Sequence, residues 1–253
     1  MASYERGYPF WQENGFFDRY GGTIQPLKEF SCSSFVYLYS KYVRDSREYA
    51  VLVRQVYRQA IGAVAFASAT DRTGRDWAVV LDVDETALDN SVYQLERAAY
   101  RLPFDDESWN AWVRRGQAPA LPGVGDFVTS VRALGGRVAW VTNRDEVTRE
   151  ETRRNLAAVG LWSDDDRLCL MPADQAYTKA VRRREVATGQ GACGWAGRPM
   201  EIRAFVGDQI GDFPAAGERQ ADAGRDEAFG TRFFLLPDPM YGGWTTRVTR
   251  DGY

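Results

Sequence analysis

Asp82, Asp84, Glu85 and Asp89 crowd the stretch AVVLDVDETALDN (78–90), directly after a run of apolar residues. Burying an isolated carboxylate is costly, so acidic residues at the end of such a run call for a positive partner. Asp82 and Asp84 are two apart, and at a strand end both side chains lean to one side. Two carboxylates that close stay ionised together only with a cation or a proton between them. An acidic helix cap is the alternative reading. An EF-hand is excluded, because its sixth position requires glycine and here holds Ala87.

A second acidic pair, Asp208 and Asp212 in VGDQIGDF, has a spacing of four, which puts both on one side of a first helical turn. Alone it reads equally as a capping pair. Together the two pairs make an oxygen-donor site suited to Mg2+, which takes few carboxylates and keeps several waters. In VTNR (141–144), Thr142 offers a strand-end hydroxyl to a phosphoryl oxygen, or a strand-to-helix cap. Lys179, in YTKAVRRR, is one of three lysines against 29 arginines. An arginine-biased chain that keeps lysine here suits a compact point charge, although a surface lysine reads the same way.

Other chemistries fall away. The chain has no histidine, which removes Ser-His-Asp and Cys-His catalysis and histidine-ligated metals. Acid–base work is left to carboxylates, lysine, tyrosine or metal-bound water. Cys32, Cys169 and Cys193 show no C-x-x-C spacing, so neither a disulfide framework nor a zinc knuckle is expected, and all three read as free thiols. GQGACG (189–194) matches G-x-G-x-x-G but follows a helix-like run instead of a strand, so it reads as a loop. CGWAGR (193–198) is one residue short of the Cys-to-Arg spacing of a cysteine phosphatase. A net charge of -3 argues against binding a nucleic acid polymer.

These residues must be held by something, and the pattern predicts an α/β sheet. A helical stretch covers 31–68, with Asp45 and Glu48 at capping-box spacing and Tyr49, Leu52, Val56 and Ile61 near one face. Short apolar runs follow at 77–81, 137–141, 167–171, 204–207 and 232–236. Helix-like stretches lie between at 126–135, 145–159, 175–187 and 212–223. This alternation implies parallel crossovers with helices on both faces of the sheet. The stretch 90–123 is too long for a simple crossover and reads as an inserted helical cap. The expectation is one domain over 1–253, with a small cap built from about 28–70 and 90–123. In such sheets ligands sit beyond the carboxyl ends of the strands, where Asp82, Thr142, Asp208 and Asp238 follow the apolar runs. The N-terminus has no basic-then-apolar leader and no run reaches membrane-spanning length, so a cytoplasmic chain is expected, or a secreted one if a leader has been removed, with no membrane partner.

In this order, D-x-D-x-T, a strand-end Thr, an isolated Lys and G-D-x-x-x-D-F resemble the haloacid dehalogenase (HAD) superfamily of phosphohydrolases. DVDETALDNS (82–91), Trp109, Trp112 and the LPG at 121–123, VTNR, GDQIGDF (207–213) and LPDPMYGGW (236–244) resemble its four-aspartate acid phosphatases of class B/C. The resemblance covers roughly 35–245, with SREYAVLVRQVYRQA (46–60) similar to the helix before the first motif; Asp238 stands where the family often has Asn. It implies a HAD-like Rossmannoid fold and a magnesium-dependent phosphomonoesterase acting on small phosphate monoesters. Asp82 would be the nucleophile forming an aspartyl-phosphate, and Asp84 the general acid and base. Magnesium would be held by Asp82, the Asp84 carbonyl, Asp208 and Asp212, with Thr142 and Lys179 taking phosphoryl charge. Asn90, Asn143, Trp109 and Tyr241 are the expected substrate contacts. A phosphotransferase on the same intermediate and a non-catalytic storage or binding protein on the same fold are the rival readings, and a homodimer is compatible with either.

Aromatic residues gather where the site should be roofed: Tyr93, Trp109 and Trp112 in the insertion, Tyr241 and Trp244 after the last run. They form either the cap's own core or a stacking surface for a flat leaving group such as a nucleobase. Tyr241, on a glycine-flanked turn, is the expected stacking residue, which would suit nucleoside monophosphates.

Overall fold

The structure, a computed structural model, describes residues 32–173, 176–215, 218 and 226–245. Five parallel strands form its centre: β1 (Trp77–Leu81), β2 (Arg137–Asp145), β3 (Arg167–Met171), β4 (Glu201–Gly207) and β5 (Phe233–Leu235). They lie in the order β3-β2-β1-β4-β5. The chain winds outward from β1 to β3, returns to the other side of β1 and continues to β5. The direction reverses between β1 and β4, and a sheet of this kind opens its ligand crevice at that point.

Alternation along β1 explains the two layers. Trp77, Val79 and Leu81 face one apolar cluster, Ala78 and Val80 the other. The first cluster takes in α2 (Arg47–Thr70), which follows α1 (Cys32–Asp45), together with α5 (Val124–Ala133) and α6 (Arg149–Ala158). The second takes in Val186 of α7 (Lys179–Thr188), Cys193, Trp195, Phe213 and Phe233. Two short helices, α3 (Ser91–Ala99) and α4 (Asp106–Arg115), come from the predicted insertion. Residues 216–217 and 219–223 of the expected last helix fall outside the described residues, and 210–212 form a single 3-10 turn.

Five local expectations change. The helical stretch 31–68 is two helices, and the cap of α2 is Ser46, whose hydroxyl accepts from Tyr49 N, instead of the Asp45/Glu48 pair. The buried face of α2 is Tyr49, Val53, Tyr57, Ala60 and Val64, a helical rhythm that leaves Leu52 44% exposed. β2 runs four residues past its apolar stretch to Asp145, with a register shift against β3 between Val141 and Asp145. Cys169 and Cys193 form a disulfide, with Cα atoms 5.6 Å apart, although both were expected as free thiols. The crossover through α7 brings β3 and the following loop together, and spacing along the chain does not reveal that approach. Among the described residues no helix is long and apolar enough to cross a membrane.

Candidate active site

The carboxyl ends of β1 and β4 place the first carboxylates. Asp82 N donates to Val206 O at 3.0 Å, continuing the ladder one residue beyond β1. Asp208 follows β4 directly. Asp212 folds back over the end of β4, where any side chain at Gly207 would collide with it. A turn then fixes both: Gln209 N donates to Asp212 Oδ2 at 2.8 Å, and Gln209 Nε2 to Asp208 Oδ2 at 2.9 Å. Thr86 Oγ1 donates to Asp208 Oδ1 at 3.1 Å.

Lys179 enters from the first turn of α7, after Thr178 caps that helix. Its Nζ donates to Asp82 Oδ1 and to Asp212 Oδ1, each at 2.6 Å. Burial works against the ammonium, but Asp212 and Asp82 outweigh it and push its pKa up. Burial, opposed by Lys179 and reinforced by Asp212 and Asp84, pushes the Asp82 carboxyl up to about 7. Burial, then Asp212 and Asp82, push Asp208 well above the usual carboxylate range. Asp82, Asp208 and Asp212 each offer an oxygen within 4.8 Å of the others. Asp82 and Asp208 are both held toward the protonated form beside Asp212, and an all-oxygen set of this kind fits a hard divalent cation.

The loop between β1 and α3 is pinned on both sides. Ala87 N and Leu88 N both donate to Val83 O at 2.8 Å, and Tyr57 hydroxyl donates to Thr86 O at 2.7 Å. Glu85 adopts φ +51, a left-handed backbone that non-glycine residues seldom take. Its buried carboxylate accepts from Asn90 N at 2.8 Å and from the Tyr241 hydroxyl. Burial, then Asp238 and Asp84, push Glu85 well above its ordinary value. Asp238 itself, raised by burial to about 7, accepts from Met240 N at 2.8 Å.

The expected site residues divide into two groups. Asp82, Asp84, Asn143, Trp109, Lys179, Asp208, Asp212 and Tyr241 line one cleft of about 1470 Å³. Asn143 Oδ1 accepts from Arg182 Nη2 at 2.7 Å, which leaves its Nδ2 for the cleft. Tyr241 lines the cleft, but its hydroxyl is tied to Glu85. Trp109 packs edge-on against Tyr93, with ring centroids 5.1 Å apart. Asn90 and Thr142, both 0% exposed, lie behind Asp84 and not in the cleft wall. Asn90 Nδ2 donates to Asp84 Oδ1 at 3.0 Å, and Thr142 Oγ1 donates to Asp84 Oδ2 at 3.3 Å. Both expected site residues thus stand directly against the Asp84 carboxylate.

The residues missed from sequence are mostly arginines. Arg144, buried, holds Asp84 with its guanidinium. Arg182, also buried, donates to Thr142 O and Cys169 O and so joins the ends of β2 and β3. The signal for Arg144 was its place in VTNR. Gln209 was missed although it stands between the two aspartates of GDQIGDF.

Residues 25–244 match the family described as HAD superfamily, subfamily IIIB (Acid phosphatase). The chain is 32% identical over 173 residues to Acid phosphatase 1 of Solanum lycopersicum, covering 66% of this chain and 59% of that protein. It is 25% identical over 168 residues to a stem 31 kDa glycoprotein of Glycine max, covering 64% of this chain and 58% of that one. The chain thus spans under two thirds of the length of these plant relatives. The class C acid phosphatase from Bacillus anthracis superposes with a TM-score of 0.70 at 27% identity, covering 84% of this chain and 87% of the other.

Proposed function

The chain belongs to the HAD superfamily, subfamily IIIB, of acid phosphatases, and from that premise we propose that it hydrolyses small phosphate monoesters with the help of Mg2+. The observation that carries this reading is the Lys179 ammonium held 2.6 Å from both Asp82 and Asp212 at the point where the sheet reverses. Asp82 Oδ1 accepts from Lys179, and no hydrogen bond to Oδ2 occurs among the described residues. That oxygen is the nucleophile. Its attack on phosphorus forms an aspartyl-phosphate and releases the alcohol, a two-step division typical of covalent catalysis.

Asp84 gives its proton to the departing oxygen and then takes one from the water that attacks phosphorus and restores Asp82. Asn143 Nδ2 and Lys179 meet the equatorial phosphoryl oxygens. A dication would be held by Asp82, Asp208 and Asp212 and would supply charge neutralisation, which together with positioning makes up most of the catalysis in phosphoryl transfer. Phe104, Trp109 and Trp244 stand in the same cleft as Asp82. Flat aromatic walls of this kind favour nucleoside monophosphates over aliphatic phosphates.

The test is hydrolysis of a chromogenic phosphomonoester with magnesium, with excess chelator, and with magnesium restored. Turnover that disappears on chelation and returns with the metal supports the reading. Full activity in excess chelator removes the metal from it, and no activity under any of the three conditions removes the phosphatase.

A further inference from the structure

Asp84 is surrounded asymmetrically. The Arg144 side chain is 1% exposed. Its Nε lies 2.9 Å from Asp84 Oδ1 and 3.3 Å from Oδ2, and its Nη2 lies 2.8 Å from Oδ1. Asn90 Nδ2 brings a third N–H to the same Oδ1 at 3.0 Å. On the other oxygen, the Thr142 hydroxyl stands at 3.3 Å, as far away as the weaker Arg144 contact.

The donors are themselves fixed. Asn90 Oδ1 accepts from Trp112 Nε1 at 2.8 Å and from Arg144 Nη2 at 3.5 Å, which sets the amide so that its Nδ2 faces Asp84. Arg144 is held by Thr152 Oγ1, 3.3 Å from Nη1, and its guanidinium carbon lies 5.9 Å from the centre of the Trp109 ring. Arg144 N donates to Thr142 Oγ1 at 3.1 Å, so backbone and side chain of this residue both frame Asp84.

A carboxylate oxygen offers about two lone-pair sites. Three N–H donors saturate Oδ1, and an oxygen so engaged has no place for a proton. We propose that Arg144, held in place with Asn90 by Trp112, Thr152 and Trp109, is a positioning residue that makes Oδ2 the proton-carrying atom of Asp84. The proposal rests on the phosphatase reading and adds to it the atom through which the proton passes. In the first step an Asp82 oxygen bonds to phosphorus, the bond from phosphorus to the leaving oxygen breaks, and that oxygen takes the proton from Asp84 Oδ2. In the second, water gives a proton to Oδ2, its oxygen bonds to phosphorus, and the bond from Asp82 to phosphorus breaks. Inorganic phosphate leaves, and both carboxyl groups return to their starting states.

A positioning role for proton delivery has a readout that a merely structural role lacks: dependence on the leaving group. An alkoxide departs only with a proton, whereas a nitrophenolate departs without one. The experiment measures kcat/KM, which ends at the first irreversible step, for glycerol phosphate and 4-nitrophenyl phosphate with magnesium. Wild type, Arg144→Lys and Trp112→Phe are compared. General acids contribute roughly 10²–10⁴-fold, so Arg144→Lys should lose on the order of 10²-fold for glycerol phosphate and under about tenfold for 4-nitrophenyl phosphate. Trp112→Phe, which frees the Asn90 amide without emptying the core, should shift the ratio in the same direction by about fivefold. Equal losses on both substrates, or none, in Arg144→Lys overturn the proposal. If that variant does not fold, an unchanged ratio in Trp112→Phe overturns it. A wild-type protein that hydrolyses neither substrate condemns the phosphatase reading instead, which keeps the two failures apart.

Discussion

Asp82 and Asp84 sit two residues apart on one loop, and the protein gives them opposite surroundings. Asp82 meets a single lysine point charge and two further carboxylates, with one oxygen left to the cleft. Asp84 meets an arginine fork, an amide and a hydroxyl. Carboxylates with the same intrinsic chemistry take different roles when their environments differ. The crowded side calls for a further cation, while the Asp84 side already has Arg144 beside it.

The largest effect should come from exchanging the two aspartates for asparagine in turn. Asp82→Asn keeps shape and removes the proposed nucleophile, so turnover should fall by at least ~10⁴-fold, with the fold retained by circular dichroism. Asp84→Asn should cost ~10²–10⁴-fold, concentrated in substrates with poor leaving groups. Equal losses on every substrate from both variants would erase the distinction between them.

Lys179 offers the next break. Lys179→Ala leaves Asp82 and Asp212 facing each other without the ammonium, and removing a preorganised charge of this kind costs ~10²–10³-fold in kcat. Lys179→Arg should restore little, because a planar fork does not fit where one nitrogen lies 2.6 Å from two carboxylates. Near-normal kcat in Lys179→Ala would reduce the lysine to a structural partner.

The crowded side also has a pH signature. The Asp82 carboxyl stands at about 7 in the metal-free protein, above the ~3.9 of an unfolded chain. A raised acid contributes stability that is fully present below its unfolded pKa and lost as pH rises through its folded pKa. The metal-free Tm should therefore fall as pH climbs from about 4 to about 7. Magnesium must displace that proton, so the rise in Tm on adding it should grow over the same interval. A metal-induced shift that stays constant or shrinks toward higher pH would contradict this account of the carboxylate cluster.

The two sides differed as much in how far they could be read from sequence. The crowded side was legible because its residues follow apolar runs: β1 occupies the residues its hydrophobic stretch marks, and Asp82 and Asp208 follow their strands directly. On the Asp84 side, Asp84, Asn90 and Thr142 were named from sequence, but the contacts among them were not legible. β2 continues through VTNRD after its apolar residues end, so Thr142 lies within an irregular strand and turns toward Asp84. Asn90 and Arg144 are polar residues that pair in the interior, and polarity along a sequence suggests surface until a partner is known. Glu85 was quoted in the opening motif, but nothing local signals that Tyr241, 156 positions away, donates to it.

The smallest effect concerns the cleft wall after β5, where the sequence favoured Tyr241 as a stacking surface. Its hydroxyl is bound to buried Glu85, and Gln209 Oε1, by accepting from Gly243 N at 2.9 Å, holds the same turn to Asp208 and Asp212. Burial, then Glu85, push the Tyr241 pKa up, so this phenol stays protonated and anchored. Trp244 is different: it lines the cleft, is 51% exposed, and donates from Nε1 to Asp238 O at 3.1 Å and Tyr241 O at 2.9 Å. Those two bonds fix the indole edge while leaving a ring face for a base. Stacking is worth ~1–3 kcal/mol per base, a preference of roughly 5- to 150-fold. Trp244→Ala should lower kcat/KM for a nucleoside monophosphate by about tenfold and leave glycerol phosphate within about twofold. Tyr241→Phe deletes the bond to Glu85 but keeps the ring, and should lower both substrates alike by disturbing the loop that carries Asp84. If Tyr241→Phe spares both while Trp244→Ala lowers them equally, the turn holds the site through its tryptophan and no base stacks there.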